Sequence, residues 1–281
     1  MRWADLDLLG HVNNVVYVDY LQEARVDLLR VHRPSLTSDL AEAAVVVRNE
    51  VTYLAPLPFR FEPVTIEVWV SELRAASFTL AYEIFQPDPD DPDNPDARRV
   101  HARATTVLTP YVFATERPRR LTAEERATLE PYVEQAPDRE RTRMPRERPE
   151  VAHRFPVQVR FSDVDVYRHV NNVKYFEYLQ EGRITLTADI WAGLDPVSVV
   201  VAQTDVDYLR PILLRPETYD AWSWVSRVGE RSATIDTLIC DGPTTLASGR
   251  AVIVFFDEQA QRSTRPGAAY LDALRGLLPA G

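Results

Sequence analysis

Two short stretches of this chain carry the same set of chemically capable side chains. Arg2–Arg25 reads RWADLDLLGHVNNVVYVDYLQEAR, and Arg160–Arg183 reads RFSDVDVYRHVNNVKYFEYLQEGR; at an offset of 158 residues they are identical at 14 of 24 positions. The identities fall on Asp-x-Asp, His-Val-Asn-Asn and Tyr-x-x-Tyr-Leu-Gln-Glu-x-Arg. A duplication that preserved only a core would keep apolar residues. This one kept carboxylates, an imidazole and two amides, which points to a chemical site present twice.

The chemistry follows from the residue types. Asp7 and Asp165 stand shortly before a helix, and a helix N-terminus offers unpaired N–H groups and the positive end of a dipole. Asn13 and Asn14, with Asn171 and Asn172, occupy the positions where an N-cap is wanted. Backbone donors there can hold a carbonyl oxygen and the negative charge it gains in acyl transfer. A nearby carboxylate can attack the carbonyl or take a proton from water. A thioester is the substrate that such a minimal site can hydrolyse, because thiolate leaves without a strong acid. His11 and His169 are candidates for contacting Asp7 and Asp165 or orienting water. No Gly-x-Ser-x-Gly elbow and no metal-ligand cluster is present in the sequence. Plainer roles stand beside these: Asp-x-Asp as a turn cap, the histidines as structural hydrogen-bonders, the asparagines as caps, Tyr17 and Tyr20 as core, and Glu23 with Arg25 as an ion network on the helix face.

The positioning elements are legible as periodicities. Tyr17, Tyr20, Leu21, Ala24 and Leu28 share one helical face, repeated by Tyr175, Tyr178, Leu179, Gly182 and Leu186. A short strand is expected to end near Asp7 and near Asp165. After each helix come three or four runs rich in Val, Ile, Thr, Trp and Tyr, which read as strands. The repeat extends through Val45–Pro56 against Val199–Pro211 and Val64–Ile84 against Tyr219–Ile239. One helix followed by strands implies an α+β fold with an antiparallel sheet packed on the helix. The expected division is a first domain over 1–115, a linker with a short helix over 116–154, and a second domain over 155–281. Thr122 and Glu125 read as a capping box opening a helix to about Gln135. Pro137–Pro149 and the Asp/Pro run Pro87–Asp96 read as mobile, solvated segments. Phe155–Val159 has no counterpart before the first motif, so either copy 1 lacks a strand or the chain's start lies upstream of Met1.

Composition narrows the partners. The formal net charge of −10 disfavours nucleic acid as the main partner. The single cysteine, Cys240, excludes an internal disulfide, suits a reducing compartment, and reads as a buried inert thiol. No apolar run approaches the ~20 residues that span a bilayer, and no signal peptide precedes the motif. No membrane insertion and a cytoplasmic location are therefore expected, with no cofactor and no metal implied.

The string from Asp163 to Arg183, with Val199-Val-Val and Asp207-Tyr-Leu-Arg-Pro211, resembles hot-dog acyl-CoA thioesterases of the 4-hydroxybenzoyl-CoA thioesterase type, and among them the long-chain acyl-CoA branch. It is also similar to the acyl-acyl-carrier-protein thioesterases, which are tandem hot dogs. The resemblance implies two tandem hot-dog domains, each a curved antiparallel sheet wrapped around one long helix, paired as an intrachain pseudo-dimer, with further homodimerisation open. It implies Asp7 and Asp165 as the catalytic carboxylates, and the backbone N–H at Asn14 and Asn172 as the group that polarises the carbonyl. In the acyl-carrier-protein branch the histidine four residues after that aspartate takes part, which maps to His11 and His169. That branch's Asn two residues after the Asp is here Leu9 or Tyr167, and its downstream Glu has no clear match. The departures favour acyl-CoA over acyl-carrier-protein as substrate partner, with a non-catalytic acyl-CoA-binding role as the remaining alternative.

Overall fold

The computed structural model describes residues 1–31, 44–91, 93–94, 96–136, 142–165, 168–195 and 197–279. The chain divides into two compact units, Met1–Arg141 and Thr142–Gly281. The division falls inside the segment read as a linker.

The first unit opens with a 3-10 turn, Trp3–Asp5, and the helix α1, Val16–Val31. Four strands follow: β1 Ala44–Tyr53, β2 Thr65–Leu73, β3 Phe78–Pro87 and β4 Arg98–Val112. They form an antiparallel sheet in the order β2-β3-β4-β1, with a short β5, Arg117–Pro118, closing on the end of β4. The helix α2, Ala123–Leu129, completes the unit.

The second unit begins with β6, His153–Val157, then a 3-10 turn Phe161–Asp163 and the helix α3, Asn172–Ile190. The strands β7 Val199–Tyr208, β8 Tyr219–Val228, β9 Ser232–Asp241 and β10 Thr244–Asp257 follow. A short β11, Arg262–Ser263, pairs with β10, and α4, Ala268–Arg275, ends the unit. The antiparallel order β7-β10-β9-β8 repeats that of the first unit, and β6 adds an edge strand on β8. Among the described residues the first unit has no counterpart of β6.

The strands are rich in β-branched residues, and their alternate side chains turn inward, as in β4, where Ala102, Ala104, Thr106 and Leu108 are buried in every second position. In the second unit α3 lies across β8 and its neighbours, and the approach is close. A Cβ at Gly249 of β10 would come within 2.5 Å of Leu179 Cδ1, and one at Gly182 of α3 within 3.0 Å of Ser223 Oγ. Glycine lets the helix and the sheet touch at these two points. Below the C-terminal half of α3, Leu186 joins Val225, Ile235, Ile253 and Phe255 in a core sealed by Leu271 and Leu274 of α4.

Several expectations need correction. No strand runs into Asp7 or Asp165; a 3-10 turn precedes each, and β6 stops at Val157. The helix after Thr122 ends at Leu129 and tightens to a 3-10 turn over Glu130–Tyr132, because Pro131 cannot supply the next α-helical N–H. Its capping box is present: Glu125 N–H donates to Thr122 Oγ1 at 3.1 Å, and Thr122 N–H to Glu125 Oε2 at 2.7 Å. Of the stretch read as mobile, residues 137–141 lie outside the described set, while the rest is tied down. Ser248 Oγ donates to Pro145 O at 2.7 Å, Arg146 pairs with Asp207 at 2.8 Å, and Met144 is buried. The Asp/Pro run joins β3 to β4 through hydrogen-bonded turns, including Asp88 N–H to Ala97 O at 3.0 Å. Arg25 and Arg183 are buried, not members of a solvated network; Glu23 and Glu181 remain exposed.

Candidate active site

Each conserved-in-duplicate motif folds into a small hairpin followed by a helix. Leu6 bridges Val12 and Val164 bridges Val170, both antiparallel. The hairpin closes through Asp7 N–H to His11 O and Asp165 N–H to His169 O, each 2.8 Å. Its outer limb is pinned to the loop after the first long strand: Val12 N–H donates to Leu57 O and Val170 N–H to Ile212 O, each 2.9 Å. The two copies thus reproduce one geometry from one sequence pattern.

The two aspartates of Asp-x-Asp do different work. The first is buried, Asp5 at 7% and Asp163 at 4% exposure. The Asp5 carboxylate accepts from Arg2 N–H at 2.5 Å and Tyr20 Oη at 2.7 Å; that of Asp163 accepts from Arg160 N–H and Tyr178 Oη, both at 2.8 Å. Their carbonyls take the N–H of Asn13 and Asn171 at 2.8 Å. The first aspartate therefore staples the hairpin to the helix through Tyr20 in one copy and Tyr178 in the other. Burial, then the hydrogen bond to the carboxylate, pushes the pKa of the Tyr20 and Tyr178 hydroxyls up.

The second aspartate faces outward, Asp7 half-buried and Asp165 exposed. Asp7 Oδ1 accepts from Leu9 N–H at 2.9 Å and His11 N–H at 3.2 Å, and Asp165 Oδ1 from His169 N–H at 3.0 Å. Main-chain donors thus fix the orientation of a carboxylate that the solvent side can reach. The histidines contribute to this through their backbone. Among the described residues, no hydrogen bond joins the His11 ring to Asp7.

The helix start completes the arrangement. Asn171 is the N-cap of α3, its Oδ1 accepting from Val173 N–H at 3.1 Å, and Asn13 makes the same bond, from Val15 N–H at 3.0 Å, in the turn that leads into α1. Asn14 and Asn172 follow, with their carbonyls held by Tyr53 Oη at 2.8 Å and Tyr208 Oη at 3.0 Å. Their own N–H groups meet no acceptor among the described residues. The Asn172 side-chain Nδ2 is likewise buried without a partner. Tyr17 and Tyr175 are core residues stacked edge-on against Tyr53 and Tyr208 at 5.1 and 4.9 Å.

Sequence reasoning brought together Asp7, Asn13 and Asn14, and Asp165, Asn171 and Asn172, and the structure holds each set on one hairpin and helix start. It missed the pairing of Asp5 with Tyr20 and Asp163 with Tyr178, and the part played by Tyr53 and Tyr208. The signal was there, since all of these are identical in the two copies. Among the described residues no group of acidic, His or Cys side chains could hold a metal ion, and no helix is long and apolar enough to cross a membrane. Cys240 is buried, and burial pushes its thiol pKa up.

Comparison with known proteins agrees in outline. A family model described as the thioesterase-like superfamily matches residues 1–155 and again 159–274. The long-chain acyl-CoA thioesterase FadM of Escherichia coli (strain K12) is 27% identical over 110 residues, covering 35% of this chain and 77% of FadM. The 12:0-ACP thioesterase of Umbellularia californica superposes with a TM-score of 0.73 at 17% identity, covering 91% of each chain. An acyl-ACP thioesterase of Bacteroides thetaiotaomicron gives 0.65 at 13% identity, over 89% of this chain and 93% of its own. The last two likenesses are of fold.

Proposed function

We propose that this chain, which belongs to the thioesterase-like superfamily, hydrolyses acyl-CoA to a free acid and CoA. The observation that carries the reading is the same in both halves. A carboxylate oriented by main-chain N–H donors stands beside a helix start whose N–H meets no acceptor among the described residues.

In the proposed reaction the substrate carbonyl oxygen sits on the N–H of Asn14 or Asn172. Asp7 or Asp165 takes a proton from water as the water adds to the carbonyl carbon, or itself adds to that carbon. The negative charge on the former carbonyl oxygen is held by the helix-start amide. The C–S bond then breaks and CoA leaves as thiolate, giving the free acid in the first case and, in the second, an anhydride with the aspartate that water then opens. Asn13 and Asn171 cap the helix so that this amide points outward, while His11 and His169 shape the turn and orient water. The domains, 1–115 and 155–281, would pair as two hot dogs, each sheet wrapped around its helix, in a cytoplasmic enzyme of acyl metabolism. The similarity to FadM favours CoA as carrier; the similarity in fold to acyl-ACP thioesterases keeps acyl-carrier-protein as the second reading.

The test is thiol release from acyl-CoA measured with DTNB. Asp7→Asn and Asp165→Asn together should abolish turnover without unfolding the chain, and each alone should leave roughly half the rate if both sites work. Wild-type turnover by the double variant would overturn the assignment. Tight retention of acyl-CoA with no thiol release by the wild type would make the protein a binder.

A further inference from the structure

The two hairpins differ at one position in a way that bears on substrate recognition. Gly10 and Arg168 occupy the same place in the turn, with φ of +75° and +63°. Glycine adopts that backbone freely, whereas an L-residue there costs about 1–2 kcal/mol. Among the described residues the Arg168 side chain makes no hydrogen bond or ion pair that offsets it. The side chain is exposed, and no described carboxylate pairs with it. Arg146, Arg154, Arg215 and Arg250 of this unit each pair with an aspartate; Arg168 is the exposed, unpaired arginine that lies within the motif hairpin. A strained, exposed, unpaired cation three residues from Asp165 is a feature in search of an anion.

The anion follows from the rest of the molecule. With a net charge of −10 the chain repels anionic ligands at long range. A phosphate-bearing thioester needs a local cation to settle at the site. Arg168 lies four positions before Asn172, at most about 14 Å of chain, a span comparable with a pantetheine arm. A guanidinium suits the purpose, since it forms charge-assisted, bidentate bonds to phosphate. We propose that Arg168 binds a phosphate on the carrier arm of the thioester at the second site. The first site, with Gly10, lacks that grip. The inference rests on the thioesterase reading and names the part of the substrate that the second half recognises.

Calorimetric titration of the intact chain tests it, using CoA, 4′-phosphopantetheine and pantetheine as ligands. In Arg168→Gly, CoA should bind one site at least about tenfold more weakly, the loss of one hydrogen bond to a charged group. Pantetheine, which has no phosphate, should be unaffected. The melting temperature should stay the same or rise, because glycine relieves the turn. An equal loss for 4′-phosphopantetheine assigns the contact to the phosphate shared by CoA and carrier protein; a loss for CoA alone assigns it to the nucleotide phosphates. Unchanged CoA affinity, equal weakening of all three ligands, or no binding of CoA to the wild type overturns the proposal. Binding does not depend on turnover, so loss of activity in Asp165→Asn with CoA affinity intact speaks to the catalytic reading alone.

Discussion

At the scale of residues, the motif separates a structural carboxylate from a working one two positions away. Asp163 is buried and accepts the Tyr178 hydroxyl at 2.8 Å, while Asp165 is exposed and accepts the backbone N–H of His169 at 3.0 Å. Opposite effects of the same substitution follow. Asp163→Asn should lower stability, because a buried network built around a carboxylate loses its charge-assisted bonds. Tyr178→Phe should cost about 1.5–3 kcal/mol, the range for a hydrogen bond to a charged group. Asp165→Asn should fall within about 0.5 kcal/mol of wild type, as expected of an exposed position, while its site loses turnover. Urea denaturation alongside the DTNB assay separates the two classes. The sequence showed both aspartates twice but could not rank them: their types and spacing are the same, and only burial distinguishes their roles.

At the scale of elements, the repeat is registered strand by strand. Both sheets carry a bulge at the matching position, between Val70 and Glu72 in one and Val225 and Arg227 in the other. Ser71 and Ser226 at those bulges each donate to a carbonyl on the neighbouring strand at 3.4 Å. The helix-to-sheet contact in the second unit is set by glycine. Gly249→Ala should destabilise by about 1–3 kcal/mol through overpacking against Leu179. Adding Leu179→Ala should cost less than the sum of the two single changes, a coupling that a double-mutant cycle measures. Outside the repeat, Thr122→Ala should cost about 1 kcal/mol by removing the cap of α2. That cap was legible from Thr122-x-x-Glu125, whereas the helix's early end at Leu129 depended on Pro131.

At the scale of the whole molecule, the two halves share a geometry and differ in how they meet solvent and protons. His101, in the first unit, is buried, with Nδ1 2.8 Å from Pro56 O and Nε2 without a partner among the described residues. Its place in the second unit is taken by Leu246: Leu54 N–H and Leu209 N–H donate to the carbonyls of His101 and Leu246 in turn. Burial, the largest cause, holds the His101 pKa below the usual imidazole value; hydrogen bonds to Pro56 and Ala55 oppose it. The unfolded chain then binds the proton more readily than the folded one. Stability is full above about pH 6.5 and falls as pH drops through that value toward the folded pKa. The urea midpoint of the wild type should decline over that range, and His101→Leu should flatten the decline. The sequence by itself determined the duplication, the α+β layout, the helix caps and the identity of the groups that meet at each hairpin, because local chemistry and periodicity fix those. Only the tertiary structure decided which aspartate is buried, that 3-10 turns rather than strands lead into Asp7 and Asp165, and that Arg168 stands at a positive φ with no ion-pair partner among the described residues. Those outcomes depend on packing against residues far along the chain, on backbone angles and on access to water, none of which residue spacing encodes.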